Sequence, residues 1–226
     1  GMAFGALQGV LTVPFGLSQH VVGLGVTLLA TSMTYFTYRL ALPEVTSPPR
    51  IEAFAEWPVP VLSAIPRVGP SLFSQTPLTY LAFATVAAVA FVLYRTPLGL
   101  ALRAVGENPA SVEAQGLSVT GLRLGAVMAG SGLMAVGSAF LTMSAFNSFF
   151  FEMVNGRGWI CIALVVFGAW KPWKSMLGAV LFAAFDAPQI RLQQMPIGAH
   201  VPYQVFLMMP FALSILALIL MSRRAE

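Results

Sequence analysis

The sequence has few charged side chains, and this shortage already indicates its class. Of its 226 residues only 9% are Asp, Glu, Lys or Arg, whereas 58% are hydrophobic. An average soluble domain is about 25% charged, so these side chains are too few to cover a water-facing surface. The large apolar share also excludes a disordered chain. The composition is that of a membrane protein whose surface faces lipid.

Other absences exclude several kinds of site. Cys161 is the single cysteine, so no internal disulfide forms, and its apolar neighbours indicate a small core residue. His20 and His200 are far apart and have no ligand-like neighbours, so neither a metal site nor a cofactor is expected. The sequence contains no G-x-x-x-x-G-K-[ST] phosphate-binding loop, which predicts that the chain does not hydrolyse ATP itself. The net charge of +4 comes from basic residues that are scattered or end apolar runs, a topology pattern rather than a nucleic-acid site.

Long apolar runs predict about six membrane spans, because about 20 mostly apolar residues cross about 30 Å of hydrocarbon. The predicted spans are residues 19–40, 77–94, 122–145, 156–171, 174–191 and 203–222. The residues before Gln19 are interpreted as the tail of a further apolar helix that Pro14 and Gly16 terminate. The predicted fold is an all-α, polytopic transmembrane helical bundle, with residues 1–226 forming a single membrane domain.

The distribution of Lys and Arg favours a cytoplasmic location for the loop at 96–121. Alternation of the spans then places Lys171 and Lys174 inside and the loop at 41–76 outside. The outer loop is rich in proline, which removes amide donors and fixes φ, so it is not a spanning helix.

Small residues in the segment 125–140 predict close packing of the helix that contains them, because close backbone approach drives helix association in lipid. Three series have a spacing of four: Gly125 with Ala129, Ala126 with Gly130, and Ser131 with Ala135 and Ala139.

The cytoplasmic loop contains start and stop signals for a short helix. Asn108 suits an N-cap, Pro109 suits the first helical position, and Gly116 suits a left-handed stop. Glu107 lies just before the start, where the helix dipole favours an acid. Two interpretations remain open: an ordered loop, or a rigid docking element for a cytoplasmic partner.

Three motifs occur in order: TPLGLALRAVGENPASVEAQGLSV, NGRGWICIALVVFGAWKP and LFAAFDAPQIRLQ. With them the chain resembles the permease subunit of bacterial ABC importers, from near Gly1 to about Gln194. It is most similar to the branched-chain amino acid and simple-sugar permease superfamily, and within it to the nucleoside uptake permeases. Members of that family are longer, which implies that about two or three helices at the front are missing here.

The resemblance implies that the cytoplasmic loop holds the coupling helix, which fits a groove on the ATPase. This role falls on Glu107, Asn108, Pro109, Ala110, Glu113, Ala114 and Gly116. It also implies a transport subunit rather than an enzyme, multi-pass in the bacterial cell (inner) membrane. The implied partners are ABC ATPase subunits, a second permease subunit and an extracellular substrate-binding lipoprotein.

Polar and aromatic residues at 145–159 are candidates for a solute pathway, because polar groups in a membrane usually serve a function. The candidates are Asn147, Phe150, Asn155 and Trp159. Gly156 and Gly158 permit non-helical backbone there. An aromatic belt at the outer end of a span explains the same residues, and both interpretations stay open.

Asp186 is the only acid inside an apolar run, which makes it a further pathway candidate. It can pair with Arg191 in a structural role, or bind a nucleoside hydroxyl. The function predicted from the resemblance is import of a nucleoside or related small polar solute by alternating access. The alternatives are a sugar or branched-chain amino acid as cargo, and an ion-coupled secondary transporter that uses Asp186.

Overall fold

The computed structural model describes most of the chain, and for residues 185–194 it describes the backbone only. The described residues are 1–43, 49–52, 54–55, 57–58, 74–150, 153–154, 156–194 and 208. The predicted span 203–222, apart from Met208, lies outside them. Contacts divide the described chain into two compact units: Gly1–Thr85 with Phe91–Met153, and Val86–Ala90 with the described residues from Val154 onward. The assignment of residues 1–226 to a single membrane domain stays a prediction.

Helices dominate the described chain, which confirms the all-α class. Up to residue 145 they are α1 (Met2–Thr12), α2 (Gln19–Ala41), α3 (Pro77–Arg95), α4 (Pro97–Glu107), α5 (Pro109–Ala114) and α6 (Val119–Phe140), extended by one π-helical turn (Leu141–Ala145). Beyond it they are α7 (Arg157–Phe167) and α8 (Pro172–Gln194). The outer loop contributes two short strands, β1 (Trp57–Pro58) and β2 (Ser74–Gln75), which pair antiparallel.

Three described helices are long and apolar enough to cross a membrane: α2, α3, and α6 with its π turn, of 23, 19 and 27 residues. They confirm the predicted spans 19–40, 77–94 and 122–145 to within a few residues. Their large apolar side chains point outward, with Leu28 and Phe36 of α2 69% and 67% exposed. An apolar outer face is the surface that lipid requires.

The predicted span 156–171 is wrong in length, because α7 has only 11 residues. At about 1.5 Å per residue it covers about 17 Å, roughly half of the hydrocarbon layer. The chain then turns through Ala169 and Trp170, whose φ values are 49° and 59°. Gly168 makes this turn possible, since a Cβ there would lie 2.7 Å from the backbone nitrogen of Ser175. The next predicted span, 174–191, is helical as α8. Helix α8 is not among the described helices that are long and apolar enough to cross a membrane, so its role as a span stays a prediction.

Glycines on α1 form a close seam with small residues of α6. A Cβ on Gly5 would lie 2.6 Å from the Cβ of Ser131, and one on Gly1 would lie 2.5 Å from the Cβ of Ala135. Close backbone approach replaces the hydrophobic effect as the means of association in lipid. The series that contains Ser131 and Ala135 is therefore confirmed as a packing surface.

The other two predicted small-residue series of α6 are not used in this way. A Cβ on Gly125 or Gly130 would have no heavy atom of the described chain within 4 Å. Periodicity placed these glycines on the helix but did not show which face meets α1.

Candidate functional site

The short cytoplasmic helix predicted from its caps is present as α5. The Oδ1 atom of Asn108 accepts a hydrogen bond from the N–H of Ser111 at 3.2 Å, and Pro109 follows as the first helical residue. Gly116 has φ 80°, and its N–H donates to the carbonyl oxygen of Glu113 at 2.9 Å. Both ends of α5 are thus held by the predicted residues.

Helix α4 precedes α5 and turns away from α3, and no cap or stop signal in the sequence predicted it. The hydroxyl of Thr96 donates to the carbonyl oxygen of Val92 at 2.6 Å and accepts from the N–H of Gly99 at 3.2 Å. The guanidinium carbon of Arg103 lies 5.2 Å from the ring centroid of Tyr94. A cation over an aromatic face is an attractive contact, so it ties α4 back to the end of α3. We call Tyr94, Thr96, Gly99 and Arg103 the α3–α4 elbow.

Three valines join α4, α5 and α6 in one small core. Val105, Val112 and Val119 are 4%, 3% and 6% exposed, and each comes from a different helix. Ala104 and Leu122 pack against them. The sequence spaces the valines seven residues apart, but Pro109 and Gly116 interrupt the helix between them. We call Val105, Val112 and Val119 the valine junction.

The outward surface of α5 is polar. Val112 is its one fully buried residue, and Pro109 is half-buried. The other predicted coupling residues are all exposed: Glu107, Asn108, Ala110, Glu113, Ala114 and Gly116. The predicted set thus extends from the end of α4 through α5 to the turn at Gly116, with two exposed carboxylates, Glu107 and Glu113.

The opposite ends of α3 and α6 meet through hydroxyl groups. The Oγ1 atom of Thr76 lies 2.8 Å from the Oγ of Ser144 and 3.2 Å from the Oγ1 of Thr79. Ser144 belongs to the π-helical turn that extends α6, and such turns often occur at functional sites. This contact was not predictable from the sequence, because hydroxyl groups at the ends of two apolar runs do not indicate that the ends are adjacent.

Asn147 follows the π turn in a left-handed conformation, with φ 51°. Its carbonyl oxygen accepts a hydrogen bond from the N–H of Ile51 at 2.8 Å, so the outer loop joins the end of α6 here. Its Oδ1 atom is buried and has no hydrogen-bond partner in the described chain. A buried acceptor without a partner is costly, which is consistent with a functional position.

Aromatic rings surround this segment. Phe150 is 37% exposed, and its ring meets that of Phe146 edge to face, with centroids 5.4 Å apart. The rings of Tyr38 and Phe149 are 5.2 Å apart. Aromatic faces can stack against a purine, a pyrimidine or a sugar ring.

The remaining pathway candidates lie in the second unit or outside the described residues. Trp159 is on the first turn of α7 and is 69% exposed. Gly156, with φ 74°, confirms the predicted break in the helix, whereas Gly158 lies inside α7 and breaks nothing. Asp186 lies in α8, where the structure describes the backbone only, and Asn155 is outside the described residues.

A cavity of about 280 Å³ lies between α3 and α6. Its lining consists of Leu78, Thr79, Leu81, Ala82, Thr85, Leu133, Val136, Gly137 and Phe140. It is apolar apart from the two threonines, and Thr79 links its edge to the Thr76–Ser144 contact.

Residues 1–218 match the family described as the permease component of the branched-chain amino acid transport system. The chain belongs to this permease family. It is therefore an integral membrane protein of a transport family.

Among its relatives, this permease is 35% identical over 88% of its length to TsgC13 of Haloferax volcanii, which carries the provisional name of a glucose ABC transporter permease. It is 30% identical over its full length to the nucleoside ABC transporter permease NupC of Lactococcus lactis. It is also 30% identical, over 96% of its length, to the guanosine ABC transporter permease NupQ of Bacillus subtilis. The chain spans 60%, 71% and 69% of these three proteins. The search of solved structures found no match.

Proposed function

We propose that this permease is the membrane-spanning subunit of an ATP-driven importer, which moves a nucleoside or related small polar solute by alternating access. The geometry of α5 supports this proposal best. It is a six-residue helix with both ends capped, one valine buried and its polar residues outward. A rigid protrusion of this kind gives an ATPase a firm contact on which to act.

The importer is completed by two ABC ATPase subunits, a second permease subunit and an extracellular substrate-binding lipoprotein. The family supports these partners, because an ABC permease does not supply the ATPase itself. The exposed carboxylates of Glu107 and Glu113 further indicate the chemistry of the ATPase surface. We expect it to be basic, since complementary charge favours correct docking.

A nucleoside is the favoured cargo because two relatives that match at least 96% of this chain carry names of nucleoside or guanosine permeases. The rings of Phe146, Phe149 and Phe150 near the outer end of α6 suit stacking of a base. A sugar is the second candidate, which the similarity to TsgC13 favours.

The docking role of α5 is tested by reversing one charge. In the assembled transporter, Glu113→Arg places a like charge against the expected basic surface, at a cost of several kcal/mol. We expect uptake per ATP hydrolysed to fall at least about tenfold, because tenfold corresponds to only about 1.4 kcal/mol. The matched control is Glu52→Arg, which makes the same change at an exposed residue of the outer loop. It is expected to have no effect.

Uptake measured with labelled guanosine, glucose and leucine in competition identifies the cargo class. The same proteoliposomes decide the energy source. Uptake that persists without the ATPase and stops when the proton gradient is collapsed would refute the ATP-driven mechanism. That result would favour an ion-coupled transporter instead. Equal behaviour of Glu113→Arg and Glu52→Arg would remove α5 as the docking element.

A further inference from the structure

The cytoplasmic helices α4 and α5 are attached to two membrane spans at once. At one side the α3–α4 elbow ties α4 to the end of α3 through the hydrogen bonds of Thr96 and the contact of Arg103 with Tyr94. At the other side the valine junction joins α5 to the first residue of α6, Val119. A force on α5 therefore reaches α3 and α6 by two different routes.

The route from α5 to α6 passes through one buried side chain of α5. Helix α5 has six residues, too few for an isolated helix to be stable in water. Val112 is its only fully buried residue, at 3% exposure, and it lies among Val105, Val119, Ala104 and Leu122. The position of α5 relative to α6 is thus set mainly by the packing of Val112.

At the far end of α6, Ser144 of the π turn is tied to Thr76 at the start of α3 by a hydroxyl hydrogen bond of 2.8 Å. A neutral hydrogen bond contributes about 0.5–1.5 kcal/mol net, so this contact can break and re-form at little cost. The π turn that carries Ser144 is itself an irregular end to the helix. The α3–α6 cavity lies between the valine junction and this hydrogen bond.

We propose that Val112 is a positioning residue that transmits movement of α5 to Val119 and α6, and that the Thr76–Ser144 hydrogen bond is the contact that breaks and re-forms as a result. This inference rests on the proposed function, because it requires an ATPase that moves α5. Beyond the proposed function, the inference identifies α6 as the span that receives the movement and the Thr76–Ser144 hydrogen bond as the place where that span responds. The spacing between α3 and α6, and with it the α3–α6 cavity, changes in each cycle.

The first test measures the ratio of solute taken up to ATP hydrolysed in proteoliposomes that contain the full-length permease and its partners. Val112→Ala removes two methyl groups from the junction, and we expect the ratio to fall at least about fivefold, the lower range of allosteric coupling. Val112→Ile keeps the junction filled and adds one methylene, so it overpacks the junction rather than emptying it, and the ratio is expected to stay above that of Val112→Ala. Val21→Ala, at a 69% exposed residue of α2, is the matched control and is expected to have no effect.

The second measurement reports movement rather than stability. Thr76→Cys and Ser144→Cys are introduced together in a Cys161→Ser background, and the rate of cross-linking by a short bis-methanethiosulfonate, which forms a disulfide with each thiol and releases methanesulfinate, is followed. With Val112 intact, the rate is expected to change when a non-hydrolysable ATP analogue binds the transporter. With Val112→Ala it is expected to stay constant. A residue that only stabilises the fold would leave this nucleotide dependence in place.

The outcomes separate the two proposals. If wild-type uptake does not depend on ATP, the proposed function fails and this inference fails with it. If wild-type uptake depends on ATP while Val112→Ala keeps both the normal ratio and the nucleotide-dependent cross-linking, this inference alone is overturned. Val112→Thr retains the shape of valine, so it is measured as well in case Val112→Ala does not assemble. It is expected to lower the ratio because it places a hydroxyl among apolar side chains.

Discussion

The glycine seam between α1 and α6 provides the sharpest test of how this permease packs. Gly5→Ala adds one methyl group at the closest point of the seam. That methyl would lie 2.6 Å from both the Cβ and the Oγ of Ser131, and 3.1 Å from the Cα of Met128. Ser131 can rotate its hydroxyl away, but its Cβ and the backbone of Met128 can move only if the helices separate. The substitution therefore forces α1 away from α6.

The expected cost follows from these distances. Overpacking of a well-fitted interface costs about 1–3 kcal/mol, and the closest contacts here involve backbone and Cβ atoms rather than flexible ends. A glycine in a helix costs up to about 1 kcal/mol relative to alanine, which offsets part of the loss. Gly25→Ala in α2 gains the same stabilisation from replacing a helical glycine by alanine, but its Cβ has no neighbour within 4 Å in the described chain. We expect Gly5→Ala to be less stable than Gly25→Ala by about 1–2 kcal/mol.

Unfolding in mixed micelles of increasing SDS content measures this difference. The double variant Gly5→Ala with Ser131→Gly removes the nearest Cβ and hydroxyl, so we expect it to recover part of the loss, with a coupling energy of about 1 kcal/mol. Full recovery is not expected, because the Cα of Met128 remains 3.1 Å away. Equal stability of Gly5→Ala and Gly25→Ala would refute the close seam, and a coupling energy of zero would show that Ser131 does not form it.

Two further predictions concern a backbone turn and an aromatic side chain. The Cβ added by Gly116→Ala meets no atom within 4 Å in the described chain, but the new residue must adopt φ 80°. We therefore expect it to destabilise α5 by about 1–2 kcal/mol and to lower uptake per ATP hydrolysed. The control Gly106→Ala, at an equally open position in α4, is expected to be neutral. Equal transport by the two variants would show that the left-handed turn is unimportant. Trp159→Ala is expected to reduce uptake per assembled complex more than Trp170→Ala, and the two are 69% and 77% exposed. An assembly defect with normal uptake per complex would assign Trp159 to the membrane interface.

Much of this structure is local in origin, and that part was predictable from the sequence. Asn108, Pro109 and Gly116 act through their own backbone conformations and nearest neighbours, so their types alone indicated where α5 starts and stops. The long apolar runs of α2, α3 and α6 were likewise predictable as spans, because a membrane span requires only sufficient length and low polarity.

The contacts between helices were not predictable in the same way. The valine junction depends on how three separate helices fold back on one another, and its seven-residue spacing crosses two helix breaks. The predicted span 156–171 failed because its apolar composition continues through Ala169 and Trp170, where the backbone turns. Amino-acid composition alone cannot predict that the chain changes direction here, because the turn depends on the close packing of Gly168 against Ser175.

The two best-defined junctions of the permease use different forces. The valine junction lies in the predicted cytoplasmic loop, where contact with water would make burial of apolar side chains favourable at about 25 cal/mol per Å². The seam of α1 and α6 lies between apolar helices, where lipid gives leucine and valine no such advantage and glycine allows close contact instead. Apolar side chains are therefore left exposed on the spans, whereas Val105, Val112 and Val119 are among the most buried of the described residues. Burial of valines therefore stabilises the contact of α4, α5 and α6, whereas close backbone approach stabilises the seam of α1 and α6.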